Sequence, residues 1–70
     1  MLRKDWHAAL KRLRLEASLS QQRAAEECGL SKRMFQYYES GEYQPKEPMA
    51  IYYVSRLESA ARKLLKIRQL

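Results

Sequence analysis

The chain has 70 residues, 46% of them hydrophobic and 31% charged, and its 14 Lys and Arg against eight Asp and Glu give a formal net charge of +6. A chain of this length buries only about 60% of the surface its unfolded form exposes, so one core leaves it marginal and a second ordinary domain is excluded. One cysteine allows no intramolecular disulfide, and one histidine beside it builds no structural zinc site, so oligomerisation is the device left to support residues 1–70 as one domain.

Function classes narrow in the same way. No nucleophile–base pair, metal-ligand cluster or glycine-rich phosphate loop occurs, and there is little room for a walled pocket, so an enzyme is not expected. No cofactor, metal or small-molecule ligand is expected either. The longest uncharged, mostly apolar run is Met49 to Ser55, far short of the roughly 20 residues of a membrane span. The first residues are charged and carry no signal-like apolar stretch, which predicts a cytoplasmic protein. The basic excess points to a polyanionic partner. It is uneven: residues 1–17 hold five basic and two acidic residues, 18–55 hold four and five, and 56–70 hold five and one. Nucleic-acid contacts in the middle of the chain must therefore be local.

Apolar Trp6, Ala9, Leu10, Leu13 and Ala17 recur at helical steps and predict a helix over about 5–17, with Arg3, Lys4, Lys11, Arg12 and Arg14 mainly off that face. Ser18-Leu19-Ser20 interrupts it, and Ser20 is a suitable cap for a short helix Gln21 to Cys28 that Gly29 ends. Ser31 caps again, and a helix from Lys32 through Tyr38 runs toward a stop at Gly41. Gly41 to Pro45 reads as a loop. Beyond Pro48 no breaker occurs as far as Leu70, which allows one long helix or two with a bend near Ser55 or Ser59. The expected fold is all-α, a compact bundle of four to five helices with a long C-terminal helix.

The informative unit spans 20–41: a capped short helix, a three-residue turn with glycine at its head, and a second capped helix. That is the plan of a helix-turn-helix. Small Ala24 and Ala25 permit close approach, while Cys28, Leu30 and Phe35 supply apolar contact between the helices. In such a unit the second helix enters the DNA major groove and the first crosses the backbone.

Leu19-Ser20-Gln21-Gln22-Arg23-Ala24-Ala25-Glu26-Glu27-Cys28-Gly29-Leu30-Ser31, with Phe35-Gln36-Tyr37-Tyr38-Glu39-Ser40-Gly41 and Pro45, resembles the helix-turn-helix of the Cro/C1-type (XRE) bacterial and phage regulators. The likeness covers roughly residues 5–57. Arg23-Ala24-Ala25-Glu26 and Tyr37-Tyr38 are also similar to the small anti-CRISPR-associated regulators of phages and mobile elements. The sequence departs where Ala24 stands in place of the usual leucine, and in the acidic pair Glu26 and Glu27.

The resemblance implies roles. Lys32, Arg33, Gln36 and Tyr37 match positions that reach base edges, with Arg33 suited to guanine, Gln36 to adenine and the Tyr37 ring to a thymine methyl. Ser20, Gln21 and Ser31 match positions that meet phosphates at helix N-termini. Glu39 matches a structural glutamate that holds a helix end or a basic neighbour. Phe35 and Tyr38 are expected in the core, Cys28 as a small buried residue, and His7 in a packing or surface role. Apolar Val54, Leu57, Ala61, Leu64 and Leu65 exceed what the helix-turn-helix can cover, so Leu57, Ala61, Leu64 and Leu65 are expected to make a homodimer seam, with Arg62, Lys63, Lys66 and Arg68 outward. The reading is a sequence-specific, homodimeric autorepressor of an inverted-repeat operator in double-stranded DNA. Its alternatives are the antitoxin of a toxin–antitoxin pair, or a protein-interaction or membrane-surface module using the basic tail.

Overall fold

The structure, a computed structural model, describes residues 5–68, Arg68 by its backbone alone. Arg3, Lys4, Leu70 and the Arg68 side chain, each given a place in the sequence reading, lie outside the described residues. Four helices follow one another: α1 (Trp6–Glu16), α2 (Gln21–Cys28), α3 (Lys32–Ser40) and α4 (Glu47–Arg68). The fold is all-α, and no strand occurs among the described residues.

Local chemistry sets each boundary. The Asp5 carbonyl accepts the N–H groups of Ala8 at 2.9 Å and Ala9 at 3.2 Å and so starts α1. The hydroxyls of Ser20 and Ser31 accept the N–H groups of Arg23 at 3.1 Å and Met34 at 3.2 Å, capping α2 and α3. Three helices end in the same way. Ser18, Gly29 and Gly41 take left-handed φ values of 57°, 72° and 83°. The residue after each donates its N–H back into the last turn: Leu19 to Arg14 at 3.0 Å, Leu30 to Ala25 at 2.8 Å, Glu42 to Tyr37 at 3.0 Å.

The region from 48 onward, open between one helix and two, is a single helix that begins at Glu47. Pro48 is its second residue, where a missing N–H costs nothing because the first-turn donors have no intrahelical partner. The Lys46 carbonyl accepts from Met49 and Ala50, both at 3.0 Å.

The core gathers Trp6, Leu10 and Leu13 of α1, Ala24, Ala25 and Cys28 of α2, Phe35 of α3, and Ala50, Tyr53 and Leu57 of α4. Both α1 and α2 pack against α3 and α4. Ala24 is fully enclosed, and Phe35, also fully enclosed, lies in the same cluster. The Tyr38 ring lies 6.1 Å from that of Trp6 and stacks on Tyr53 at 5.7 Å, joining α3 to α1 and α4.

One expected seam residue is displaced. Leu57 is fully buried in this core, so it supports the protomer and offers no surface to a partner. Ala61 and Leu64 are half-buried, whereas Leu65 and Ile67 are 57% and 65% exposed. The apolar stripe thus continues past the end of the core.

Candidate nucleic-acid interface

The two caps and the Gly29-Leu30-Ser31 turn place α3 across α2 with one side inward and one in solvent. Phe35 and Glu39 point inward, four residues apart; Lys32, Arg33, Gln36 and Ser40 form the exposed side. Of the four positions expected to reach base edges, Lys32, Arg33 and Gln36 therefore share an open surface at the N-terminal end of α3. Among the described residues neither Lys32 nor Arg33 has a hydrogen-bond or ion-pair partner.

Tyr37 is placed differently. It is half-buried, and its ring meets that of Tyr43 edge-on at 4.9 Å. Its carbonyl accepts from Glu42, Tyr43 and the Ser40 hydroxyl. The loop after α3 thus anchors Tyr37 and sets Tyr43, itself 55% exposed, against the Tyr37 ring. Sequence reasoning passed over Tyr43 because no helical spacing connects it to α3.

Behind this surface lies a polar network. The Arg14 guanidinium meets the Glu39 carboxylate through Nε at 2.7 Å and Nη2 at 3.4 Å, and also donates to the Leu19 carbonyl at 3.0 Å. Arg14, expected mainly off the inner face of α1, is in fact turned inward and only 13% exposed at its side chain. Gln21 donates from Nε2 to Glu39 Oε1 at 2.9 Å, and Gln36 donates from Nε2 to Gln21 Oε1 at 2.9 Å. Gln21 is thus half-buried and bonded twice to α3, reaching Arg14 of α1 only through Glu39, while Ser20 and Ser31 are exposed caps. No buried side-chain polar atom among the described residues lacks a partner, as a closed network requires.

The charges of α2 are also partnered. Glu26 accepts from Arg23 at 3.2 Å and Gln22 at 3.1 Å, and Glu27 meets Arg56 of α4 at 3.3 Å. Cys28 faces the core, 3.8 Å from the Tyr53 carbonyl, and burial, reinforced by the Glu27 charge, pushes its thiol up to about 11. It is no thiolate near neutrality. No group of three or more metal-ligating side chains occurs among the described residues, and no helix is long and apolar enough to cross a membrane.

An exposed cationic face at the start of the second helix of such a pair is the reading surface of DNA-binding regulators. Residues 8–62 match the family model of a helix-turn-helix domain. The chain belongs to that family, whose role is DNA binding in regulation. No curated protein and no solved structure matches it.

Proposed function

We propose that the protein is a transcriptional regulator of the Cro/C1 type that binds its operator as a homodimer and represses, its own promoter included. One observation carries the reading: Lys32, Arg33 and Gln36 stand together on the open side of α3, with both cations unpaired among the described residues. In this reading Arg33 reads guanine, Gln36 reads adenine, Lys32 serves base edges or phosphate, and the Tyr37 ring touches a thymine methyl. Ser20, Gln21 and Ser31 meet phosphates at the N-termini of α2 and α3. The motif from Leu19 to Gly41 supports the subtype, and Arg23-Ala24-Ala25-Glu26 with Tyr37-Tyr38 supports a regulator carried by phages or mobile elements and acting in the cytoplasm.

The homodimer rests on the far half of α4. Ala61, Leu65 and Arg62 line a groove with Leu13 and Glu16 of α1, and Leu64 adds to the stripe. Pairing that stripe about a two-fold axis places two α3 helices on one face of the DNA, matching an inverted repeat.

Selection from a random duplex pool tests the first part: one recurrent inverted repeat is expected, and a pool without any enriched sequence overturns the reading. Sedimentation tests the second. The intact chain is expected at twice 8.3 kDa at micromolar concentration, and Leu65→Glu at the monomer mass. An intact chain that sediments as a monomer while binding the full repeat removes the dimer.

A further inference from the structure

We infer that Gln21 is a positioning residue for base recognition, because it fixes which end of the Gln36 amide faces the DNA. The inference rests on the DNA-reading role proposed for α3. The relay begins at a group of fixed polarity. Glu39, held by Arg14 at 2.7 Å, is a carboxylate and can only accept. Gln21 must therefore turn its Nε2 toward Glu39, at 2.9 Å, and its carbonyl oxygen away. That oxygen also can only accept, so Gln36 must turn its own Nε2 toward Gln21, again at 2.9 Å. An amide has nearly the same shape either way round, and only its partners decide its direction. Here the direction is passed from an ion pair between α1 and α3, through the first residue of α2, to the exposed side of α3.

The consequence is chemical. With one N–H of Gln36 committed to Gln21, its exposed edge carries one acceptor, Oε1, and one remaining donor. Adenine offers the complement in the major groove, an N6–H donor beside the N7 acceptor. Cytosine can satisfy only the acceptor, and guanine or thymine only the donor. An amide free to turn loses part of that distinction. Gln21 also stands where a phosphate contact is expected, and the two roles separate experimentally: phosphate loss weakens every sequence alike, whereas loss of the relay alters one base pair.

The test is selection from a random duplex pool with the full chain, its Gln36→Ala variant identifying the base pair that Gln36 reads. At that position the wild type is expected to prefer adenine about tenfold or more, and Gln21→Met to prefer it by less than about threefold, with the other positions unchanged. A second variant, Glu39→Gln, alters no group on the exposed surface, since the Glu39 side chain is 7% exposed. It gives position 39 both a donor and an acceptor, so Gln21 can turn either way and the same adenine preference should relax. Thermal melts of both variants separate unfolding from changed preference. Uniform weakening with adenine preference retained in Gln21→Met overturns the relay and leaves Gln21 a phosphate contact. A wild type that selects no sequence overturns the DNA reading, and this role with it.

Discussion

Ser18-Leu19-Ser20 leads into α2 and Gly29-Leu30-Ser31 leads into α3, and the two turns share one backbone plan. Each has a left-handed residue, a leucine packed on the core and a serine cap. The outward sides of the two helices nevertheless differ. On α2 the charges are spent within the molecule, Arg23 on Glu26 and Glu27 on Arg56. On α3, Lys32 and Arg33 keep theirs. Exposed pairs such as those of α2 contribute at most about 1 kcal/mol each to stability. They do neutralise the outward side of α2. Charge left unpaired is what a polyanion can use, so the contrast supports the proposed division, in which α3 reads and α2 supports.

The largest effect expected from this contrast comes from the hidden side of α3. Phe35 is fully buried, and Phe35→Ala should cost about 3–5 kcal/mol, most of what a domain of this size holds. A melting curve checks it, and an unchanged midpoint would mean that the inner and outer sides of α3 are misassigned. On the outer side the expectation reverses. Arg33→Ala should leave the melting temperature nearly unchanged yet cost about 1–3 kcal/mol on the operator, with relaxed preference at one base pair per half-site. Arg23→Ala on α2 should change neither the preference nor the stability by more than about 0.5 kcal/mol. Equal binding losses for the two arginines, on operator and random DNA alike, would erase the distinction between the helices.

The inner side of α2 gives a smaller, pH-dependent effect. In the folded chain burial raises the Cys28 thiol to about 11, whereas an unfolded cysteine ionises near about 8.5. Above that lower value the unfolded state releases a proton that the folded state keeps. The contribution is therefore complete below about pH 8.5 and is lost as pH rises toward 11. Denaturant titrations at several alkaline pH values should show stability falling across that window, with a shallower fall in Cys28→Ala. Parallel curves would mean that the thiol titrates alike in both states.

Much of the helix-turn-helix was legible because its signals are local. Ser20, Gly29, Ser31 and Gly41 mark helix ends by what their own backbones and hydroxyls can do, and the structure has α2 and α3 between them. The polar network was not legible. Arg14 and Glu39 are 25 residues apart, Gln21 and Gln36 are 15 apart, and no periodicity connects either pair. Glu39 was expected to hold a helix end or a basic neighbour, and only the packing of α1 on α3 shows that its partner is Arg14. Leu57 failed for a related reason. An apolar stripe of constant spacing does not reveal where the core beneath it stops, and here it stops between Leu57 and Ala61.

The smallest effect tests whether the two turns are equivalent. Ser18 takes φ 57° where the matching residue before α3 is Gly29 at 72°. A left-handed conformation costs an L-residue about 1–2 kcal/mol, and a glycine returns part of that gain through its greater freedom in the unfolded chain. Counted on the backbone alone, Ser18→Gly should therefore raise stability by about 0.5 kcal/mol, a melting point about 2–4 °C higher for a domain of this size, less whatever the Ser18 side chain contributes. The converse change, Gly29→Ser, places its Cβ where no heavy atom lies within 4 Å, so its cost is conformational alone, about 1 kcal/mol. Because the strain in each case belongs to the backbone and not to a neighbour, the two changes should add in the double variant. Exchanging the residues would then leave the chain slightly below the wild type. A double variant well off that sum would show that the turns before α2 and α3 are coupled through Leu19 and Leu30, which pack on the same core.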